Sequence, residues 1–259
     1  GRGTAHPEVT VVPITVDSVD ITDVALIGSE GGSITGRIVT DTGEVPRIPA
    51  LSVTIGLPER GQPDPTLLGA FRNPGSSEVA LDGSFAIRGV FGRSRLKVRL
   101  PDDWMVKTIL HEGREITDTP LELRSGDTLD NVDIVVTNRV SVVAGSTIND
   151  RGLPVSEATV LFFASDRDRW SDDSRSVRAA RPDRQGQYQI KGLPAGEYLG
   201  VALDYVEEGT WSNPEYLESL RAQAKAIAIR ENDRTLEAIL QFAHVARPGI
   251  GAERIESCR

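Results

Sequence analysis

The stretch GQYQIKGLPAGEYLGVAL, Gly186 to Leu203, alternates apolar and polar residues on either side of a Gly-Leu-Pro-Ala-Gly segment. This reads as two short strands pivoting on a turn. Tyr188 and Ile190 face inward together, because side chains two apart share one face of a strand. Gly192 and Gly196 allow the reversal, Pro194 stiffens it, and Tyr198 restarts the alternation. A related stretch, FAIRGVFGRSRLKVRL, runs from Phe85 to Leu100. Without any gap, Gly83, Phe85, Ile87, Gly89, Val98 and Leu100 stand 103 positions before Gly186, Tyr188, Ile190, Gly192, Val201 and Leu203.

The repeat extends upstream at a different spacing. GRIVTDTG, Gly36 to Gly43, corresponds to GSTINDRG, Gly145 to Gly152, at an offset of 109. The six-residue difference predicts a longer loop in the first copy, placed at LPERGQPDPTLLG, Leu57 to Gly69. Each copy closes on a similar phrase, TPLELRSGDTLDNVDIVVT ending at Thr137 and KAIAIRENDRTLEAILQF ending at Phe242. A third such phrase, VPITVDSVDITDVALIG, spans Val12 to Gly28. The predicted organisation is a terminal hairpin of a preceding repeat over 1–29, a first sandwich over 30–138, a second over 139–243 and a tail over 244–259. On this reading the chain is a piece of a longer tandem array.

Elsewhere short β-branched runs recur between Gly, Pro, Asn and Asp, as in SITGRIVT from Ser33, ALSVTIG from Ala50 and ATVLFFA from Ala158. Strands at such spacing predict an all-β fold built of sandwiches. Asp82-Gly83 and Gln185-Gly186 mark hairpin turns. One segment departs from this pattern. NPEYLESLRAQAKA offers Asn213 as N-cap, Pro214 at the first helical position, and Tyr216, Leu217, Leu220 and Ala224 on one face. It predicts a helix of about three turns covering an edge or end of the second sandwich.

The repeat phrase resembles the carboxypeptidase regulatory-like domains, a branch of the transthyretin-like (prealbumin-like) β-sandwiches. The second copy carries the likeness through Gly152, Pro154, Ala158, Val160, Gly186, Tyr188, Gly192, Leu193, Pro194, Gly196 and Tyr198. In the first copy Val90, Phe91 and Arg93 stand where Leu193, Pro194 and Gly196 stand in the second. The resemblance implies Greek-key, immunoglobulin-like sandwiches of exported, multi-domain bacterial proteins, serving as spacers, cell-surface parts or accessory domains. It implies no peptidase activity, because the family's zinc site belongs to a separate domain.

Composition agrees with a globular chain: 39% hydrophobic, 26% charged and a net charge of −9. An acidic chain lacks the clustered basic surface on which phosphate binding depends, so no nucleic-acid partner is expected. No apolar run approaches the roughly 18 residues of a membrane helix. The single cysteine, Cys258, permits no internal disulfide.

Candidate sites are sparse. His6, His111 and His244 stand apart with no metal-ligand spacing, and no Gly-x-Ser-x-Gly elbow surrounds Ser146. SDRDRWSDDS offers Asp166, Asp168, Asp172 and Asp173 as oxygen ligands for calcium, and DSVDITD offers Asp17, Asp20 and Asp23. Arg167 and Arg169 interleave the first group, which favours a solvated, salt-bridged loop. Trp170, Trp211 and Tyr205 are candidate ligand-stacking residues: exposed, they would stack on sugar rings, whereas buried, they pin the helix to the sandwich. The sequence favours burial. No catalytic residue and no cofactor are expected. The function expected is a non-enzymatic structural or interaction module of an exported bacterial surface or appendage protein, located at the cell surface or in the periplasm. Its partners would be other copies of itself or neighbouring domains, with strand addition through residues 1–28 as the means of assembly. The alternative is a carbohydrate-binding accessory module of a larger enzyme, with polysaccharide as partner.

Overall fold

The computed structural model describes residues 31–56, 76–90, 92–171, 174–204, 206, 209–231 and 236–243. The expected terminal hairpin over 1–29, the loop Leu57–Gly69 and the tail over 244–259 lie outside the described residues. The chain forms two compact units, Gly1–Val140 and Ser141–Arg259. Both are β-sandwiches, and the fold is all-β, with one short α-helix among the described residues.

The first unit contains β1 (Gly32–Thr40), β2 (Ser52–Gly56), β3 (Ser76–Glu78), β4 (Ser84–Val90), β5 (Gly92–Arg99), β6 (Met105–His111), β7 (Arg114–Glu115), β8 (Leu121–Leu123) and β9 (Thr128–Thr137). One sheet has the order β4-β1-β9-β6-β7 and the facing sheet β3-β2-β5-β8. Their inner faces enclose Ile34, Ile38, Val53, Ile87, Ile109, Val132, Ile134 and Val136, all but removed from water.

The second unit contains β10 (Val142–Ile148), β11 (Thr159–Ala164), β12 (Val177–Ala180), β13 (Gln187–Lys191), β14 (Gly196–Leu203), α1 (Pro214–Leu220), β15 (Lys225–Ile229) and β16 (Leu236–Ala243). Its order β13-β10-β16 repeats β4-β1-β9, and β12-β11-β14-β15 repeats β3-β2-β5-β8. The units diverge after β5 and β14. The first inserts the β6–β7 hairpin, and β6 pairs antiparallel with β9. The second inserts α1, and the end of β16 pairs with β14 at Ala202 and Leu203, joining its two sheets.

Hydrogen bonds reproduce the two sequence offsets. The Gly83 N–H donates to the Ala80 carbonyl and the Ala80 N–H to that of Ser84, while Gly186 and Asp183 do the same with Asp183 and Gln187, 103 positions on. Thr40, Gly43 and Glu44 form the same turn as Asn149, Gly152 and Leu153, 109 positions on. Each is a three-residue loop whose last residue is a glycine at φ between 74° and 86°. That left-handed conformation is costly for other residues.

Two expectations are corrected. The turns at Asp82-Gly83 and Gln185-Gly186 close locally as hairpins do, but β3 then pairs with β2 while β4 pairs with β1. The chain changes sheets there. The same holds for Gly-Leu-Pro-Ala-Gly: β13 pairs with β10 and β14 with β11, so this segment crosses between strands that do not pair with each other. Nor does Tyr198 restart an alternation. Tyr198 to Leu203 are buried without interruption, because β14 is covered on both faces.

Candidate functional site

Most of the candidate site residues fall in the second unit, whose chain continues past β11 into the segment that holds several of them. Past Ala164 the chain makes a short 3-10 turn, Arg167–Arg169, capped by the Asp166 side chain, which accepts a hydrogen bond from the Asp168 N–H at 3.0 Å. The turn delivers Trp170 back into the core. Its ring is 4% exposed, its Nε1 donates to the Ala164 carbonyl at 2.6 Å, and it meets Phe163 edge-on at 5.4 Å. The Arg221 guanidinium lies over the same ring at 5.2 Å from the centroid and donates to the Ser165 carbonyl at 3.2 Å.

Arg221 comes directly after α1, so these contacts tie the helical segment to the end of β11. Asn213 caps α1 by accepting from the N–H groups of Glu215 and Tyr216. The helix is shorter than the three turns expected: it ends at Leu220 and continues as one 3-10 turn, Arg221–Gln223. Leu217 and Leu220 are buried, and Trp211, Tyr216 and Ala224 pack half-buried against the same core.

Trp170 therefore presents no ring face on which a sugar could stack. Trp211 is half-buried against the same core, and Tyr205 lies outside the described residues. Asp166 and Asp168 are exposed, with Asp166 committed to its cap, while Asp172, Asp173, Asp17, Asp20 and Asp23 lie outside the described residues. Among the described residues no three His, Cys, Asp or Glu side chains gather as a metal ion would require. His111 is the last residue of β6 rather than a loop residue, paired with Arg114. Ser146 lies within β10, beside Ile239 of β16.

Arg169, which the sequence read only as a charge of a solvated loop, reaches into this end of the second unit. It extends beside Gly196, where a Cβ would come within 2.7 Å of its Nη1, and lies 5.9 Å from the Tyr198 ring centroid. Burial pushes the Tyr198 phenol up, with Ser176 and the Arg169 and Arg175 guanidiniums pulling the other way. The absent side chain at Gly196 is the one sequence signal for this arrangement, and it does not name its partner.

In the first unit an open groove of about 800 Å³ lies against the outer face of β4, β1 and β9, lined among others by Thr35, Arg37, Ser84, Asn131 and Asp133. Several of its polar groups are already hydrogen-bonded. Arg37 Nε donates to Asp133 at 2.7 Å, and Asp133 holds the guanidinium above its usual range. Ser84 Oγ donates to Asp82 at 2.7 Å. Among the described residues no helix is long and apolar enough to cross a membrane.

No family model matches the chain, and no curated protein matches it. Among solved structures it is similar to the TIE protein of Bacillus anthracis, at 13% identity over 82% of this chain and 34% of that one, with a TM-score of 0.29. It is also similar to a streptococcal ancillary pilin, at 11% identity over 93% of this chain and 72% of that one, with a TM-score of 0.31. A shaft pilin of Lactobacillus rhamnosus GG gives 9% identity over 84% of this chain and 99% of that one, with a TM-score of 0.28. The chain thus spans about a third of the length of the Bacillus anthracis protein it resembles.

Proposed function

We propose that this chain is a non-enzymatic structural segment of an exported bacterial surface or appendage protein, its sandwiches serving as spacers and as contact surfaces for neighbouring domains or copies. The observation that carries the reading is the path of the chain through each unit. Among the described residues the first and last strands of each unit are neighbours and parallel: β1 beside β9, and β10 beside β16. A chain so folded enters a sandwich at one end and leaves it at the other. At about 3.3 Å per residue, a strand of this length separates entry from exit by about 25–30 Å. Such a module lengthens a protein, whereas one whose termini meet at the same end interrupts it. The surface setting comes from the resemblance of the repeat phrase.

Antibodies raised against the chain test this on the organism that makes it. They are expected to label intact cells, and labelling confined to lysed cells would overturn the surface assignment. Strand addition between copies is the proposed means of contact, with the phrase Val12 to Gly28 as donor, because an unpaired sheet edge is a template for another strand. Light scattering and negative-stain microscopy of the whole chain and of one lacking residues 1–28 decide this: assembly is expected only in the former.

A further inference from the structure

The path that makes each sandwich a spacer also fixes how it meets tension, and the first unit shows this most fully among the described residues. Pulling on the chain just before β1 and just after β9 drives these parallel strands in opposite directions along their common axis. Their backbone ladder, from Ser33 beside Thr128 to Thr40 beside Val136, is then loaded in shear, so every rung must lengthen at once. A ladder loaded from one side peels one rung at a time and yields to less force.

The β1–β9 seam carries more than backbone bonds. Along its outer face, polar side chains bridge the two strands at successive levels. Ser33 Oγ donates to Thr128 Oγ1 at 3.3 Å, Thr35 Oγ1 to Asp130 at 2.6 Å and Arg37 Nε to Asp133 at 2.7 Å. At the far end Thr137 Oγ1 donates to Asp41 at 3.1 Å, and Arg139 reaches the same carboxylate at 4.0 Å. The first three bonds join residues 95 or 96 apart in sequence and are exposed to water, whereas Thr137 is buried and its bond to Asp41 is partly so. Exposed pairs of this kind add little to equilibrium stability. What they share is direction, since each is strained by sliding β1 along β9. The strand β9 is held on its other edge as well, by β6 from Met105 beside Thr137 to His111 beside Val132.

We infer that the first sandwich is a tension-bearing element whose mechanical clamp is the β1–β9 seam with its side-chain ladder. This deepens the structural role proposed for the chain and rests on it for its use in the cell, while the geometry and its test stand apart from it.

Single-molecule force spectroscopy on the whole chain tests the clamp, with Cys258→Ser removing the native thiol and pairs of introduced cysteines serving as handles. Ser29→Cys with Asn138→Cys loads the seam in shear. Thr42→Cys with Leu81→Cys pulls the start of β4 away from the end of β1 and loads their antiparallel ladder in peel. Leu81 is fully exposed, and Ala80→Cys replaces it should the first peel variant not fold. Urea melts establish that both variants are folded. The expected result is an unfolding force at least twofold higher in shear than in peel. Equal forces, or a lower force in shear, would overturn the inference. Cell labelling decides the surface assignment separately, so failure of either is recognised without the other.

Discussion

Two glycines carry most of what the strand pairing requires at single positions. A Cβ at Gly36 would run into the Val132 carbonyl and come within 2.9 Å of the Phe85 ring; at Gly145 it would run into the Ala238 carbonyl and come within 2.9 Å of the Tyr188 hydroxyl. The aromatic of the neighbouring strand lies across the bare glycine in both units. In the second unit this lets Tyr188 reach over and donate to the Ala238 carbonyl at 2.6 Å. Because the opposing atoms are backbone, neither glycine can be relieved by a rotamer change. Gly145→Ala is expected to destabilise the second unit by about 3 kcal/mol, the upper range for forced overpacking. The first unit should be unaffected. Urea melts followed by limited proteolysis separate the two; a loss under about 1 kcal/mol would show that β16 gives way easily. The sequence marked both glycines as repeat positions through their offset of 109, but their partners lie 96 and 93 residues away, beyond any local pattern.

At the scale of elements, the helix was legible because its signals are local: a capping Asn213, a proline in the first turn and apolar residues on one face. Asn213→Ala removes the acceptor for two N–H groups and is expected to cost about 1 kcal/mol. A thermal melt that did not move would mean that burial of Leu217 and Leu220 alone holds the segment. The strands flanking Gly-Leu-Pro-Ala-Gly were legible too, but their partners were not. A tight turn reads the same whether its strands pair with each other or part into two sheets, because the choice is made by β10 and β11, about 40 residues upstream. Continuous burial along β14 escaped as well. For Trp170 the sequence favoured burial over stacking, but nothing local shows Arg221 closing over the ring that Phe163 meets edge-on.

Over the whole molecule, the repeat conceals an unequal distribution of chemistry. All four tyrosines, Tyr188, Tyr198, Tyr205 and Tyr216, belong to the second unit, and the first has none. Burial is the leading cause that raises the phenols of Tyr188, Tyr198 and Tyr216 above their ordinary value, and Asp204 adds to the effect at Tyr216. An unfolded phenol loses its proton near pH 10. Above that pH the folded second unit holds protons that its unfolded form has lost, so its stability is complete below about pH 10 and falls as pH rises further. The first unit has no phenols to drive such a loss. Raising the pH is therefore expected to unfold the second unit first, in a transition coincident with the rise in tyrosinate absorbance. Trp104 in the first unit and Trp170 and Trp211 in the second report the two separately when each is replaced by Phe in turn. Phenols that titrate near pH 10 while both units remain folded would show that the tyrosines are open to water, and would contradict a core closed around Tyr188 and Tyr198.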